Sequence, residues 1–204
     1  MKMNFLKNKR TNKGYTIIET MIAISLFIVI IMAGMGTLLN ANLLRNKSED
    51  VRSIIDNLSF ILEDMSRNLR TGYNYRCVDN GIFNNLDVPL SCASGGAIVF
   101  EEAHGDVGVT SDQWIYKVES NDGGITFNIW KSTDGGTSYV QLNTSDILIN
   151  SVSGFSVLGA EEASGNQQQP LVNIRLAGKI KYKEVETPFD LQTSVSQRLI
   201  QLVP

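Results

Sequence analysis

The chain has 204 residues, a formal net charge of −3 at pH 7 and 43% hydrophobic residues. This length suits one membrane segment with one globular domain and leaves little room for a second domain. Basic residues cluster at the start of the chain, so the remainder is clearly acidic, which argues against a general electrostatic hold on nucleic acid.

A short basic leader at residues 1–14 precedes an apolar segment from Tyr15 to Leu39. The leader holds five basic residues and no acidic one: Lys2, Lys7, Lys9, Arg10 and Lys13. The apolar segment is about 25 residues long, more than the roughly 20 that an α-helix needs to cross a hydrocarbon core. The positive-inside rule therefore places the leader in the cytoplasm and the bulk of the chain outside. Glu19 is the one charge in the segment, which offers it no positive partner.

The boundary between leader and apolar segment carries a recognisable motif. An ordinary secretory signal would place its cleavage site after an apolar core of roughly 7–15 residues, whereas Lys13-Gly14 comes before the apolar run. The stretch Lys13-Gly14-Tyr15-Thr16-Ile17-Ile18-Glu19 resembles the class III signal of type IV prepilins and type II secretion pseudopilins. The family normally begins its mature chain with phenylalanine, and the tyrosine here keeps the aromatic ring.

The resemblance implies a processing step and a docking charge. In that family a membrane aspartyl peptidase cuts after the glycine and methylates the new N-terminus. Cleavage would fall between Gly14 and Tyr15, with N-methylation on Tyr15. Glu19 would pair with the terminal amine of Tyr15 in a neighbouring subunit, because opposite charges attract strongly in a low-dielectric setting. The alternative is an ordinary single-pass anchor with an incidental glutamate.

An amphipathic helix is predicted to continue beyond the membrane half. Apolar residues recur there at helical spacing: Leu44, Val51, Ile54, Ile55, Leu58, Ile61, Leu62, Met65 and Leu69. We expect one helix from Tyr15 to about Arg70, with an exported half over residues 40–72 whose apolar face packs on a sheet. Gly72 is the predicted C-terminal stop. Gly34 and Gly36 interrupt the membrane half, either as a site of local melting or as a close-packing surface.

The remaining residues, 73–204, are predicted to form a β-rich head. Tyr73 to about Gly96 is interpreted as a long polar loop that holds Cys77 and Cys92. Because this region is exported, a disulfide between the two cysteines can persist, and two free buried thiols are the alternative.

Alternating patterns after this loop predict strands. The predicted strands are Ala97–Phe100, Gln113–Glu119, Ile125–Ser132, Thr137–Asn143, Ile147–Leu158, Leu171–Tyr182 and Thr187–Leu199. The turn sequences Asp122-Gly123-Gly124 and Asp134-Gly135-Gly136 predict a three-strand meander. Gly178 suggests a bulge or bend. The expected fold is therefore α+β, with a long helix packed on an antiparallel sheet in a pilin-like arrangement. The C-terminal run from Pro188 to Arg198 resembles the last strand of larger minor pseudopilins, such as the J-type subunit.

The sequence gives no support to an enzyme, and we expect no catalytic residue, cofactor or metal. His104 is the only histidine and is predicted to be a solvated loop residue. Loop aspartates would be candidates for calcium, but the defined loop spacing that calcium sites use is absent: Asp106, Asp112, Asp122 and Asp134. Alternating lysines on one strand predict either contacts to DNA phosphates or a protected sheet edge, of which we favour the edge: Lys179, Lys181 and Lys183.

These observations together favour a structural assembly subunit with a single membrane span. The expected partners are a prepilin peptidase, other pilin or pseudopilin subunits, the inner-membrane assembly platform and membrane lipid, while DNA is not expected. The head would lie outside the cytoplasm and, after assembly, in a periplasmic or surface filament. The alternatives are a pilus-displayed module that binds DNA or a surface, and an unrelated membrane-anchored β-domain.

Overall fold

The computed structural model of the chain describes residues 14–78, 88–120, 122–124, 126–161, 169–182 and 185–198. Within these residues the protein has an α+β architecture, with one long N-terminal helix and an antiparallel β-sheet. Two compact units divide the chain, Met1–Ser48 and Glu49–Pro204. The basic residues of the predicted leader lie outside the described residues.

Helix α1 runs from Ile17 to Thr71, close to the predicted bounds. It is long and apolar enough to cross a membrane, and its most apolar stretch is not buried within the protein. The helix passes through Gly34 and Gly36 without a break, and a Cβ added at either glycine would meet nothing within 4 Å. Both glycines therefore remain compatible with close packing against another helix.

Gly72 directly follows the last residue of the helix, Thr71, and is the predicted helix stop. The Gly72 N–H donates to the Asn68 carbonyl at 3.0 Å. The buried Tyr75 hydroxyl lies within hydrogen-bond distance of the Leu69 and Gly72 carbonyls. The hydroxyl has one proton to donate to either carbonyl, and the Leu69 carbonyl is among those that the last turn of a helix leaves without an intrahelical donor.

Ten strands form the sheet of the described residues. They are β1 Tyr73–Val78, β2 Cys92–Gly95, β3 Ala97–Glu101, β4 Trp114–Ser120, β5 Phe127–Ser132, β6 Val140–Gln141, β7 Ile147–Ile149, β8 Gly154–Leu158, β9 Leu171–Tyr182 and β10 Val185–Ser196. The prediction of a long loop from Tyr73 to Gly96 is wrong at both ends, because β1 pairs with β3 and β2 pairs with β8. These partners lie far along the chain and supply the backbone hydrogen bonds that the local sequence did not predict.

The middle of the sheet is the predicted meander, in which β5 pairs with β4 on one side and with β6 on the other. The predicted strand Thr137–Asn143 is reduced to the two residues of β6. Its first residues instead belong to a turn, in which the Ser138 N–H and hydroxyl both donate to Asp134. The predicted strand Ile147–Leu158 is split into β7 and β8 by a turn whose Ser153 hydroxyl exchanges hydrogen bonds with the Ala177 backbone.

The long strand β9 lies inside the sheet, so the prediction of a lysine-protected edge there is wrong. β10 pairs with β9 along its whole length on one side, while β7 and β8 pair with β9 on the other. Of the bulge or bend predicted at Gly178, the bulge is absent from the β9–β10 pairing, whose register has no shift. Glycine is needed there for close approach, since an added Cβ would collide with the Leu148 carbonyl and lie 3.0 Å from Phe189.

The core of the second unit lies between the C-terminal part of α1 and one face of the sheet. Leu58, Ile61, Met65 and Leu69 are buried in one cluster with sheet residues. The sheet side of this cluster includes Ile98, Phe100, Tyr116, Ile129, Ile174 and Leu176. Each such side chain contributes about 1.5–3 kcal/mol when fully buried. Ile55 is 41% exposed and lies at the margin of the predicted stripe.

Candidate functional site

The start of α1 brings together three residues of the predicted site. Gly14, Tyr15 and Glu19 are all exposed, with the first two ahead of the helix and Glu19 in its first turn. The first turn of a helix favours a carboxylate, because the backbone N–H groups there carry partial positive charge. Glu19 thus has a local electrostatic reason for its position in addition to any partner in another molecule.

Thr16 caps this helix, a role that the prediction missed. The Glu19 N–H donates to the Thr16 carbonyl at 3.1 Å and to the Thr16 Oγ1 at 3.3 Å, and the Thr20 N–H donates to the same carbonyl at 3.2 Å. These are the bonds expected of an N-cap residue. The spacing Thr-x-x-Glu is the sequence signature of a capping box, so the signal was legible in the sequence.

The membrane half of α1 presents apolar side chains all round. Ile17 is 82% exposed and Phe27 is 62% exposed in the isolated chain. The hydroxyls of Thr20, Ser25 and Thr37 donate to backbone carbonyls of the preceding turn. A polar side chain that bonds back to its own helix can enter an apolar phase at lower cost. The surface therefore suits contact with lipid or with another apolar helix.

A half-buried polar network attaches the C-terminal part of α1 to the sheet. Asp64 Oδ2 accepts from Lys131 Nζ at 2.9 Å and from the Tyr116 hydroxyl at 3.0 Å. Asn68 Nδ2 donates to Asp64 Oδ1 at 3.1 Å and to the Tyr116 hydroxyl at 2.8 Å. Lys131 Nζ also lies 4.6 Å from the centre of the Trp114 ring, a cation–π contact.

The charges of this network shift the pKa of its members. Burial tends to raise the pKa of Asp64, but the hydrogen bond and charge of Lys131 outweigh it, with help from Tyr116 and Asn68. The pKa of Asp64 therefore lies below its ordinary value of 3.8. Burial raises the pKa of the Tyr116 hydroxyl, which stays a hydrogen-bond donor at neutral pH. The charged pair of this network, Asp64 and Lys131, connects α1 to the sheet and so helps to hold the helix in place.

Two turns of the head repeat the same seven-residue pattern, Ser-x-Asp-Gly-Gly-x-(Thr or Ser). In the first turn the Ser120 hydroxyl donates to Asp122 Oδ1 at 2.7 Å, and Asp122 accepts from the Thr126 N–H and hydroxyl. Ser132, Asp134 and Ser138 make the equivalent bonds in the second turn: Ser132 Oγ to Asp134 Oδ1, Ser138 N–H to Asp134 Oδ1, and Ser138 Oγ to Asp134 Oδ2. The glycines after each aspartate have positive φ. The prediction recognised the Asp-Gly-Gly turns but not their shared serines and hydroxyl donors.

Two of the aspartates that were considered for calcium use their carboxylates to stabilise these turns. Both side-chain oxygens of Asp134 accept hydrogen bonds within its own turn, which lower its pKa to about 2. Asp122 is engaged in the same way in the first turn. Over the residues that the structure describes, no group of three or more His, Cys, Asp or Glu side chains is placed to hold a metal ion.

Cys77 and Cys92 form a disulfide, with their Cα atoms 5.7 Å apart. The bond joins β1 to β2, which stand at the two ends of the strand order and pair with β3 and β8 respectively. Gly95 packs against Cys77 Sγ, so the bridge is part of the core. Of the two alternatives for the cysteines, the structure selects the disulfide, which fits an exported head.

The remaining candidate residues from the sequence are the lysines of β9 and His104. Lys179 Nζ lies 2.9 Å from Glu186 of the adjacent strand, which neutralises part of the predicted basic stripe. Lys183 lies outside the described residues. His104 is exposed in a turn, with its Nδ1 atom 3.4 Å from Glu102 Oε1.

Comparisons of the chain with family models, with curated proteins and with solved structures found no match. Within the described residues, the chain is an α+β protein. It has one helix long and apolar enough to span a membrane and an antiparallel sheet that carries a disulfide.

Proposed function

We propose that the chain is a minor pilin or pseudopilin subunit, cut between Gly14 and Tyr15 by a prepilin peptidase. It then assembles into a type IV pilus or a type II secretion pseudopilus, in a tip or initiation complex. The observation that carries this proposal is the Lys13–Glu19 motif at the start of a helix of membrane-spanning length. In a protein of this kind the helix is the assembly element and the sheet is the head that meets partner subunits.

Gly14 supports the proposal because the chain itself has no need for glycine there. It is not among the glycines with positive φ, and a Cβ added to it would meet nothing within 4 Å. Glycine is conformationally costly in ordered structure, so its presence calls for another reason. Recognition by a peptidase with a narrow binding site at this position is such a reason.

Glu19 supports the proposal through its position at the end of a membrane segment. It is exposed in the first turn of α1, where an incoming positive group can reach its carboxylate. An N-terminus released at Tyr15 of a neighbouring subunit would supply that positive charge. The pairing would be strong in an apolar filament core, because few water molecules would screen it.

The attachment of α1 to the head supports a role in assembly. Burial of Leu58, Met65 and Leu69, together with the Asp64–Lys131 contact, fixes this part of the helix on the sheet. A head that is fixed to the C-terminal part of the helix keeps one arrangement with that part. The contacts that stabilise the second unit would therefore also define the surface that it offers to partners.

The test of assembly uses Glu19→Ala in cells that make the peptidase and the filament. The variant should be inserted and cleaved as the parent is, and should be lost from purified filaments. Glu19→Asp keeps the charge on a shorter side chain and should retain part of the incorporation. Normal filament content of Glu19→Ala would show that the charge plays no part in assembly.

A further inference from the structure

Thr16 sets the point at which α1 begins. Its carbonyl accepts the first helical hydrogen bonds, from Glu19 at 3.1 Å and Thr20 at 3.2 Å, and its hydroxyl accepts from the Glu19 N–H at 3.3 Å. An N-cap residue has a non-helical backbone, so a helix stops growing toward the N-terminus where such a residue stands. The helix accordingly starts at Ile17.

The peptide bond between Gly14 and Tyr15 lies directly ahead of this cap. Gly14 and Tyr15 are outside the helix and exposed. If the helix began one turn earlier, the Gly14 carbonyl would accept a hydrogen bond from the Ile18 N–H, as the i−4 pattern requires. The carbonyl carbon would then be engaged in a helical turn and shielded from attack.

We propose that Thr16 is a positioning residue for cleavage, because its cap keeps the Gly14–Tyr15 bond outside the helix and available to the peptidase. This inference rests on the proposed function. In the cleavage step, water adds to the Gly14 carbonyl carbon, the bond to the Tyr15 nitrogen breaks, and a proton passes to that nitrogen. The products are a carboxylate on Gly14 and an amine on Tyr15. Thr16 takes no part in the chemistry and acts through the conformation of the bond.

Without the cap, little in the neighbouring sequence stops the helix. The apolar segment that follows is strongly helical, and Tyr15 and Lys13 are residues that a helix accepts. Gly14 opposes extension by only about 1 kcal/mol relative to alanine. Without the Thr16 side-chain hydrogen bond, the helix therefore extends past Thr16 in a fraction of the molecules and includes the Gly14–Tyr15 bond. The bond is then cleavable only in the remaining fraction of molecules.

The test compares four substitutions in the full chain, in membranes that contain an active prepilin peptidase. Ser and Asn are good N-caps, whereas Val and Ala are poor ones, and Val has almost the shape of Thr. Thr16→Ser and Thr16→Asn should be cleaved at rates close to the parent. Thr16→Val and Thr16→Ala should be cleaved more slowly, by up to roughly 30-fold, the largest change in the helix-start equilibrium that loss of an N-cap implies.

The order of the rates separates capping from side-chain recognition. If Thr16→Val is cleaved as fast as the parent while Thr16→Asn is slow, the peptidase recognises the shape of the side chain and the inference is overturned. Equal rates for all four variants overturn it as well. If the parent chain itself is not cleaved, it is the proposed function that fails.

A second readout follows the helix start directly. The ¹³Cα chemical shift of Tyr15 in nanodiscs should move toward helical values in Thr16→Val and Thr16→Ala and stay unchanged in Thr16→Ser. Slow cleavage of Thr16→Val without this change would contradict the inference, because the cap would then not act through the position of the helix start.

Discussion

The Nζ atom of Lys131 on β5 lies 2.9 Å from Oδ2 of Asp64 on α1, and this contact joins helix and sheet in the second unit. The two side chains are 19% and 33% exposed, so water screens the pair only in part. Tyr116 and Asn68 complete the hydrogen bonding of Asp64. The amphipathic part of the helix is therefore held to the sheet by this polar network as well as by its buried apolar side chains.

Asp64→Ala removes the acceptor that Lys131 and Tyr116 share. The variant should be destabilised by about 1–3 kcal/mol, as expected when partly buried donors lose their partner. Urea unfolding of the full chain in detergent micelles measures this change. Glu63→Ala is the matched control, because the Glu63–Arg67 pair on the outer face of α1 is 70–74% exposed. The control should cost less than about 1 kcal/mol. Equal losses for both variants would contradict the role of Asp64.

The second repeated turn predicts an acid-sensitive contribution to stability. The hydroxyl and N–H of Ser138 and the hydroxyl of Ser132 stabilise ionised Asp134, whose pKa falls from 3.8 to about 2. A lowered pKa in the folded state gives stability that is complete above pH 4 and is lost as the pH falls toward 2. Melting curves at several pH values should show this loss in the parent. Asp134→Asn should lack the part of the loss that Asp134 contributes, while the part from Asp64, whose pKa is also lowered, remains. A pH profile identical to that of the parent would refute the assignment.

Gly178 should not tolerate a side chain. In Gly178→Ala the new Cβ would collide with the Leu148 carbonyl and press on Phe189, which belong to the two strands that flank β9. Overpacking of this kind costs about 1–3 kcal/mol. Gly96→Ala is the control, because its nearest neighbour, the Val118 carbonyl oxygen, would lie at 3.6 Å, an ordinary contact. Thermal unfolding of both variants should separate them, and similar melting temperatures would show that β9 can move to make room.

The disulfide should contribute measurably to the stability of the head. Cys77 and Cys92 are separated by 15 positions in the sequence. Removing a bridge over a loop of this size costs about 3 kcal/mol in the chain-entropy model. The double variant Cys77→Ala/Cys92→Ala should therefore unfold at lower urea concentration, and reducing agent should shift the parent but not the variant. A shift of equal size in both would mean that the reductant acts elsewhere.

The helix and strand β9 were predictable because their patterns are local. α1 has a long apolar segment and then an apolar stripe, and β9 was predicted with the bounds that the structure has, Leu171–Tyr182. Gly72 was correctly placed as a helix stop. In each case the decisive residues lie within a few positions of one another, so the sequence contains the whole signal.

Errors arose where a distant partner decides the structure. β1 and β2 were interpreted as loop, and they exist because β3 and β8 offer them backbone hydrogen bonds. The lysines of β9 were assigned to an edge, since nothing in a strand's own sequence tells how many strands lie beside it. Asp64 is not part of the predicted apolar stripe, and its partner Lys131 is on a strand far along the chain.

The candidate site likewise has features that local motifs reveal and features that they do not. Gly14, Tyr15 and Glu19 were proposed as site residues from the resemblance to prepilins, whereas the capping role of Thr16 could be recognised from the Thr-x-x-Glu spacing and was overlooked. The repeated Ser-x-Asp-Gly-Gly pattern was present as well, and only its central residues were used. A surface of the head that would contact a partner has no local pattern, because the chemistry of an interface depends on both partners.

The most direct test of the proposed function is the mass of the chain recovered from membranes of cells with an active prepilin peptidase. The account predicts a product that begins at Tyr15 and carries one methyl group on its amine, with the intact chain in cells that lack the peptidase. Gly14→Val should block this conversion without loss of the protein, because the chain's own fold leaves space at Gly14. An intact N-terminus in the presence of the active peptidase would contradict the account and leave an ordinary membrane-anchored β-domain.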